Sequence, residues 1–233
     1  MAATTTACTL LSRVAAYHIP SAAPSQHPFQ LIISRGSVVD FAHPNNPQRS
    51  AIVNAANEGC LGGGGVDGAI GDAGGPNLFD DRRALPMVGQ GIRCKTGDAV
   101  MTGPNSYGNL HTSYVIHAVG PNYRQYKNLE EGDTFLSSAY TASLKCAQDA
   151  KLEAVAFSLL SSGIFRGNRS QKEVLRIGMD AIAKYDGYAE LQEVHMCAFT
   201  QKEADKLVEI ADEIGLISDG DYLSESAGKC ELL

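Results

Sequence analysis

The 233-residue sequence contains no tryptophan and is short of basic residues, with 19 Lys and Arg against 26 Asp and Glu and a formal net charge of −7. Binding along a nucleic-acid backbone requires a basic face that neutralises phosphates, so this charge balance argues against general nucleic-acid binding. There is also no apolar run of the roughly 18 to 20 residues that a membrane-spanning helix needs. We therefore expect a protein without membrane association, located in the cytoplasm or nucleus.

Closely spaced cysteines are also absent, because the six cysteines lie roughly thirty residues or more from one another. This spacing predicts no zinc or other metal site, and it favours reduced thiols over a disulfide framework. The last four residues, Cys230-Glu231-Leu232-Leu233, match a prenylation box only loosely, because Glu231 is not aliphatic. We therefore expect no membrane contact, and prenylation of Cys230 is only a minor alternative.

The two ends of the sequence differ in composition from its middle. Residues 1–28 are rich in Ala, Ser, Thr and Pro and contain one basic residue, Arg13, and no acid. Such a segment is typical of a loosely held extension, with an organelle transit peptide as the alternative. We predict a flexible extension over 1–28, one folded domain over 29–217 and a polar tail over 218–233, in a monomeric protein.

Within the folded part, β-branched apolar runs alternate with amphipathic segments. The pattern predicts strands at 29–34, 50–55, 112–119, 154–160 and 191–199, and helices at 134–151, 170–185 and 201–214. Residues 71–110 fit neither pattern clearly. Alternating strands and helices require crossover connections, so the sequence predicts an α/β fold with a largely parallel sheet between layers of helices.

The most informative segment is a glycine-rich loop. Nine of the 24 glycines lie between Gly59 and Gly75, directly after a predicted strand that ends in Val53-Asn54-Ala55-Ala56-Asn57. Ordering so many glycines costs conformational entropy, so this loop is better explained as a cradle for a ligand than as a plain connection. Residues 63–68 also fit the pattern GxGxxG, but several residues separate them from the strand. A nucleotide-dependent oxidoreductase is therefore only a minor alternative.

Four segments in this order resemble the macrodomain family. They are Ile52-Val53-Asn54-Ala55-Ala56-Asn57, Gly62-Gly63-Gly64-Gly65-Val66-Asp67-Gly68-Ala69-Ile70, Tyr114-Val115-Ile116-His117-Ala118-Val119-Gly120-Pro121 and Ser161-Ser162-Gly163-Ile164-Phe165. The resemblance implies a three-layer α/β/α sandwich with a mixed, mostly parallel sheet of six or seven strands. It further implies that ADP-ribose, or an ADP-ribosylated substrate, binds in a cleft at the strand ends and that no cofactor is needed.

Within that family the sequence is similar to the hydrolytic branch, which removes ADP-ribose from acidic side chains and deacetylates O-acetyl-ADP-ribose. This similarity implies two catalytic residues: Asn57, which would hold the distal ribose, and Asp67, which would position a water. It also implies ligand contacts by Phe165 at the distal ribose and by Phe199 at the adenine. The full set of ligand-binding residues predicted in this way is Val38, Asp40, Asn54, Gly63, Gly64, Gly65, Val66, Ser161, Ser162, Gly163, Ile164, Phe165, Arg166 and Phe199.

Three departures from the family pattern leave alternatives open. Ser37 stands where an adenine-contacting Asp is usual, and Asp40 is the nearby acid that could replace it. Gly71-Asp72 stands where His-Arg is usual, which leaves a non-catalytic ADP-ribose reader as an alternative. Arg166 follows Phe165 and could pair with a phosphate, so an ADP-ribose 1″-phosphate phosphatase is the other alternative.

Overall fold

The computed structural model describes residues 11–19, 29–188 and 190–219. In these ranges the chain forms one mixed sheet of eight strands, in the order β4-β5-β3-β6-β7-β2-β1-β8. The strands are β1 (Ser12–Ile19), β2 (Phe29–Arg35), β3 (Ser50–Ala55), β4 (Ala99–Thr102), β5 (Tyr114–Ala118), β6 (Ala154–Ser158), β7 (Glu193–Ala198) and β8 (Ile217–Ser218). The helices are α1 (Val66–Ala84), α2 (Leu129–Asp149), α3 (Gln171–Ala183) and α4 (Gln201–Glu213).

The centre of the sheet is parallel and its edges are antiparallel. Strands β5, β3, β6, β7 and β2 pair in parallel, which places all five carboxyl ends at the same edge of the sheet. Strand β4 pairs antiparallel with β5 on one side, and β1 and β8 continue the sheet antiparallel beyond β2 on the other. The predicted α/β class with a mostly parallel sheet is thus confirmed, although the described strands number eight rather than six or seven.

The two largest hydrophobic cores lie on opposite faces of the sheet, because successive side chains of a strand alternate in direction. Val53 and Phe157 belong to the larger core, which also contains the buried faces of α2, α3 and α4. Ile52 and Ala156 belong to the second core, together with Ile70 of α1. The helices therefore form layers on both faces, and α1 packs on the face opposite to the other three.

The N-terminal boundary differs from the sequence prediction. Residues 12–19 were predicted as part of a flexible extension, but they form β1, whose Tyr17 and Ile19 are buried in the larger core. Polar and apolar residues do not alternate regularly in Ser12–Ile19, so the sequence does not indicate a strand there. The segment is a strand because it pairs with β2 in the tertiary structure. At the other end, Ser218 pairs with Tyr17. Residues 1–10, 20–28 and 220–233, including the prenylation candidate Cys230, lie outside the described residues.

The segment 71–110, which fitted neither pattern, contains most of α1 and all of β4. Helix α1 is interrupted at Gly75, whose φ of 63° and ψ of −158° are not helical, and Pro76 follows immediately. Glycine adopts this backbone conformation without a steric penalty, and proline is well placed at the start of a helical segment. The interruption explains why no continuous helical periodicity was visible in the sequence.

Because β1 is part of the sheet, we expect Ile19→Ala to lower the free energy of unfolding by about 2 to 5 kcal/mol through lost burial and a cavity. The matched control is Val14→Ala in the same strand, where the side chain is 39% exposed and the change should fall within about 0.5 kcal/mol. Urea unfolding of both variants measures the difference. Equal effects of the two substitutions would contradict the assignment of β1 to the core sheet.

Candidate ligand-binding site

A cavity of about 720 Å³ lies at the carboxyl ends of four adjacent parallel strands. Its walls come from the segments that follow β3, β6, β7 and β2, which is where open α/β sheets usually bind ligands. The predicted site residues that line it are Val38, Asn57, Gly63, Gly64, Gly65, Val66, Asp67, Ser161, Ser162, Gly163, Ile164, Phe165 and Phe199. The fold thus brings together segments that are more than a hundred residues apart in the sequence.

The glycine loop forms one wall and leads directly into α1. Gly65 is the N-cap of α1 and has φ 62° and ψ −134°, a conformation that L side chains rarely adopt. A Cβ on Gly68 would lie only 2.9 Å from the carbonyl oxygen of Gly63, so the loop packs closely against the first turn of the helix. The helix N-terminus, with its unpaired N–H groups and positive dipole end, therefore faces the cavity and favours an anion.

Asn57 connects the end of β3 to the glycine loop. Its Nδ2 donates to the carbonyl of Gly62 at 2.9 Å, and its Oδ1 accepts from the N–H of Gly59 at 3.1 Å. The thiol of Cys60 donates to the Asn57 carbonyl at 3.5 Å. These contacts hold the Asn57 amide at the cavity wall, with the second hydrogen of Nδ2 remaining for a further acceptor.

Asp67, in the first turn of α1, has two carboxylate oxygens in different environments. Oδ1 accepts from Nδ2 of Asn54 at 2.8 Å and lies 3.1 Å from Nη1 of Arg82. Oδ2 is buried and has no hydrogen-bond partner in the described part of the chain. A Cβ on Gly63 would lie 3.1 Å from this Oδ2 and 3.3 Å from Nδ2 of Asn57, so both polar atoms lie directly beneath Gly63.

A chain of buried polar side chains extends from Asp67 into the sheet. Asn54 Nδ2 lies 3.2 Å from Nδ1 of His117, and Nε2 of His117 lies 3.1 Å from the hydroxyl of Thr102. Burial, together with the positive charge of Arg82, holds the pKa of His117 well below its ordinary value, so the imidazole is neutral. A neutral ring that accepts at Nδ1 and donates at Nε2 satisfies both contacts and fixes the Asn54 amide toward Asp67.

The loop after β6 forms another part of the cavity wall. Ser161 has a φ of 53°, and its hydroxyl donates to the carbonyl of Pro121 at 2.9 Å. The hydroxyl of Ser162 donates to the carbonyl of Leu159 at 2.8 Å. These side chains are used to hold the loop in shape, so it is the backbone around Gly163 that is presented to the cavity.

One end of the cavity is aromatic and contains a carboxylate. Phe199 follows β7 and is 76% exposed, which leaves its ring available for stacking. Glu203 lies in the first turn of α4 and completes a capping box with Thr200, whose N–H donates to Glu203 Oε2 at 2.9 Å. Cys197 lines the same end, and burial raises the pKa of its thiol, so it is un-ionised.

Three predicted ligand-binding residues do not line the cavity. Asp40 ends a short 3₁₀ helix (Val38–Asp40), of which only Val38 reaches the cavity wall. Asn54 is completely buried behind Asp67, where it supports the carboxylate. The Arg166 guanidinium turns back on its own loop, and Nη1 donates to the carbonyl of Arg169 at 2.7 Å. These three side chains therefore lie behind or beside the cavity wall rather than in it.

Sequence reasoning also missed several residues of the cavity wall. These are Gly36, Ala55, Ala56, Ala69, Ser158, Leu159, Cys197 and Glu203, while Ser37, which the sequence had associated with the adenine position, lines the wall as well. Most are small or apolar residues with no chemical signature of their own. Glu203 did carry a signal, because the spacing Thr200-x-x-Glu203 is that of a capping box and locates the start of α4 at the end of β7.

In the described ranges, no cluster of three or more His, Cys, Asp or Glu side chains could hold a metal ion. Cys60, Cys94, Cys146 and Cys197 are free thiols. None of the helices within 11–19, 29–188 and 190–219 is long and apolar enough to cross a membrane.

Comparison with known proteins identifies the family. The family model described as "Macro domain" matches residues 53–176. A macro domain-containing protein of Caldanaerobacter subterraneus is 37% identical over 169 residues, which cover 72% of this chain and 88% of that protein. A protein of Pantoea vagans named O-acetyl-ADP-ribose deacetylase 2 is 39% identical over 153 residues, or 66% of this chain and 81% of that protein. The chain therefore belongs to the macro domain family.

Solved structures agree with this assignment. A Trypanosoma brucei macrodomain in complex with ADP-ribose is 29% identical and superimposes with a TM-score of 0.62, covering 77% of this chain and 68% of that one. An Oceanobacillus iheyensis macrodomain with ADP is 24% identical, with a TM-score of 0.70 over 86% of this chain and 96% of that one, and shows the shared fold. The predicted family resemblance is thus confirmed.

The conformation of the glycine loop gives a direct test. A Cβ on Gly65 meets no atom within 4 Å, so any effect of Gly65→Ala comes from its positive φ alone. We expect this substitution to lower the free energy of unfolding by about 1 to 3 kcal/mol. Gly64→Ala is the control, since it has equal space and no positive φ, and it should be neutral or slightly stabilising. Urea unfolding compares the two, and a loss equal in both variants would contradict the argument.

Proposed function

We propose that this macro domain binds ADP-ribose and hydrolyses an ADP-ribosyl ester, either on a mono-ADP-ribosylated acidic side chain or in O-acetyl-ADP-ribose. The family assignment and the names of relatives, such as the Pantoea vagans deacetylase, support this class of substrate. The observation that carries the proposal is the buried, unpartnered Oδ2 of Asp67 beside the Asn57 amide, beneath Gly63. A buried acceptor without a partner is costly, and a donor from a water or a ribose hydroxyl would satisfy it.

An acidic protein can hold the pyrophosphate through its backbone. The N-terminus of α1 faces the cavity from one side, and the loop at Gly163 faces it from the other. N–H groups at a helix N-terminus bind phosphate without any Lys or Arg. A net charge of −7 is therefore compatible with binding a pyrophosphate, provided that the two phosphates lie between these two segments.

In the proposed reaction, a water attacks either the ester carbonyl carbon or the anomeric carbon of the distal ribose. Asp67 Oδ2 orients the water, accepts the proton that it loses on attack and returns this proton to the departing oxygen, and Asn57 holds the ribose through its free amide hydrogen. The products are ADP-ribose and a carboxylic acid, so one water is consumed and no co-reactant is needed. Asn54 and Arg82 are occupied with Oδ1, which leaves Oδ2 as the reacting oxygen.

A second candidate, an ADP-ribose reader without turnover, is favoured by one observation. The Asp67 carboxylate is paired with Arg82, and both side chains are at most 5% exposed, as in a structural ion pair. By contrast, the phosphatase alternative depended on Arg166, which does not line the cavity and whose Nη1 donates to the carbonyl of Arg169. The monomeric state and the location in cytoplasm or nucleus stay predictions.

We expect Asp67→Ala to lower the turnover number by about 10²- to 10⁴-fold, because a positioned base contributes that much, while the affinity for ADP-ribose changes far less. Asp72→Ala is the matched control, an exposed acid on the same helix that should change neither quantity. Calorimetric titration with ADP-ribose and release of ADP-ribose from an automodified acceptor are measured on the same samples, with melting curves to verify folding. Binding without release by the unaltered protein would establish the reader instead.

The aromatic end of the cavity gives an independent prediction. If adenine stacks on Phe199, Phe199→Ala should weaken ADP-ribose binding by about 1 to 3 kcal/mol. Ribose 5-phosphate has no base, so its affinity should be the same for both proteins. A loss of affinity for both ligands would place the adenine elsewhere and make the effect of Phe199 structural.

A further inference from the structure

Arg82 is a buried cation in the last turn of α1, and its side chain is only 2% exposed. Its Nη1 lies 3.1 Å from Oδ1 of Asp67, while its Nε and Nη2 have no partner in the described part of the chain. Burial lowers the pKa of Arg82, and the negative charge of Asp67 opposes that shift. Asp67 is therefore the group that compensates the burial of this guanidinium.

The interruption of α1 makes this contact geometrically feasible. Residues 67 and 82 are fifteen positions apart, which in a straight α-helix corresponds to about 22 Å along the axis. That is farther than an arginine side chain can span. The non-helical backbone of Gly75 divides α1 and redirects its second half, so that Arg82 returns to the first turn.

Two glycines lie against the guanidinium of Arg82, where even an added Cβ would be in van der Waals contact with it. A Cβ on Gly62 would lie 3.8 Å from Nη1 of Arg82, and a Cβ on Gly71 would lie 3.7 Å from it. Any longer side chain at either position would extend into the region of the guanidinium. The glycine at 71, which departs from the usual family pattern, is thus part of the arrangement that admits Arg82 beside Asp67.

Stability alone is a poor explanation for this pair. Replacing a buried ion pair by apolar residues of similar volume is often neutral or stabilising, because the desolvation penalty offsets the attraction. The pair does, however, determine the orientation of a carboxylate. With Oδ1 held by both Arg82 and Asn54, the carboxylate cannot rotate, and Oδ2 stays beneath Gly63 beside the Asn57 amide.

We propose that Arg82 is a positioning residue for hydrolysis, which holds Asp67 so that Oδ2 is the oxygen available to the attacking water. This inference rests on the proposed function, because it assigns a part in the same reaction. Arg82 itself does not line the cavity. Its loss should therefore change turnover and leave ligand affinity nearly unaltered.

The test compares Arg82→Met and Arg82→Lys with the control Arg83→Met. Arg83 is the next residue of α1, is exposed, and lies over the ring of Phe79 rather than near Asp67. We expect Arg82→Met to lower the turnover number about tenfold or more, with the dissociation constant of ADP-ribose within about threefold of the parent. Arg82→Lys should lose less, because it retains the charge, and Arg83→Met should retain parental turnover and affinity.

Several outcomes would overturn the inference. Parental turnover in a folded Arg82→Met variant would do so, and so would parallel losses of turnover, affinity and melting temperature, which would make the residue structural. If Arg82→Met does not fold, Arg82→Lys decides. An ammonium group cannot reproduce the guanidinium geometry, so lower turnover at parental affinity supports the inference and parental turnover overturns it.

The measurements also distinguish failure of the proposed hydrolysis from failure of the proposed role of Arg82. If the unaltered protein binds ADP-ribose and releases none from the automodified acceptor, hydrolysis is excluded and the role of Arg82 in it is overturned as well. If the unaltered protein releases ADP-ribose and the Arg82 variants match it, only the role of Arg82 is overturned.

Discussion

The need to compensate one buried carboxylate governs the architecture of the site. Asp67 is almost fully removed from water, and an isolated ionised carboxylate there would be strongly unfavourable. Its charge is balanced by Arg82, and its oxygen accepts from Asn54, which is in turn fixed by a neutral His117. Strands β3, β4 and β5 and both halves of α1 thus share one polar network. The interruption of α1 at Gly75 is part of this arrangement, because only a divided helix brings Arg82 back to Asp67.

The parallel pairing of the central strands supplies the second element of the site. Since β3, β6, β7 and β2 are adjacent and parallel, the segments after their carboxyl ends converge on one cavity. Each segment contributes a different chemistry. The segment after β3 contributes glycine backbone, the one after β6 a loop held by serine side chains, the one after β7 an exposed aromatic ring, and the one after β2 small and apolar residues. Under the proposed function, phosphate recognition by backbone N–H groups would explain how a protein of net charge −7 accommodates an anionic ligand.

The departures from the family pattern have a physical explanation only in three dimensions. Gly71 leaves room for the guanidinium of Arg82, a residue that no local motif distinguished from its neighbour Arg83. Arg166, which the sequence suggested as a phosphate contact, satisfies a carbonyl of its own loop instead. Glu203, which the sequence did not assign to the site, reaches the cavity because α4 begins directly after β7.

The sequence alone determined the features that depend on neighbouring residues. Strand and helix periodicity, the glycine loop after Asn57 and the motifs containing Asp67 are local patterns, and they were sufficient to predict the α/β class, the family and most of the cavity wall. Only the tertiary structure decided the incorporation of Ser12–Ile19 into the sheet, the orientation of Arg166 and the pairing of Asp67 with Arg82. These features result from contacts between distant segments, and their free energies depend on burial and charge compensation, which no local pattern encodes.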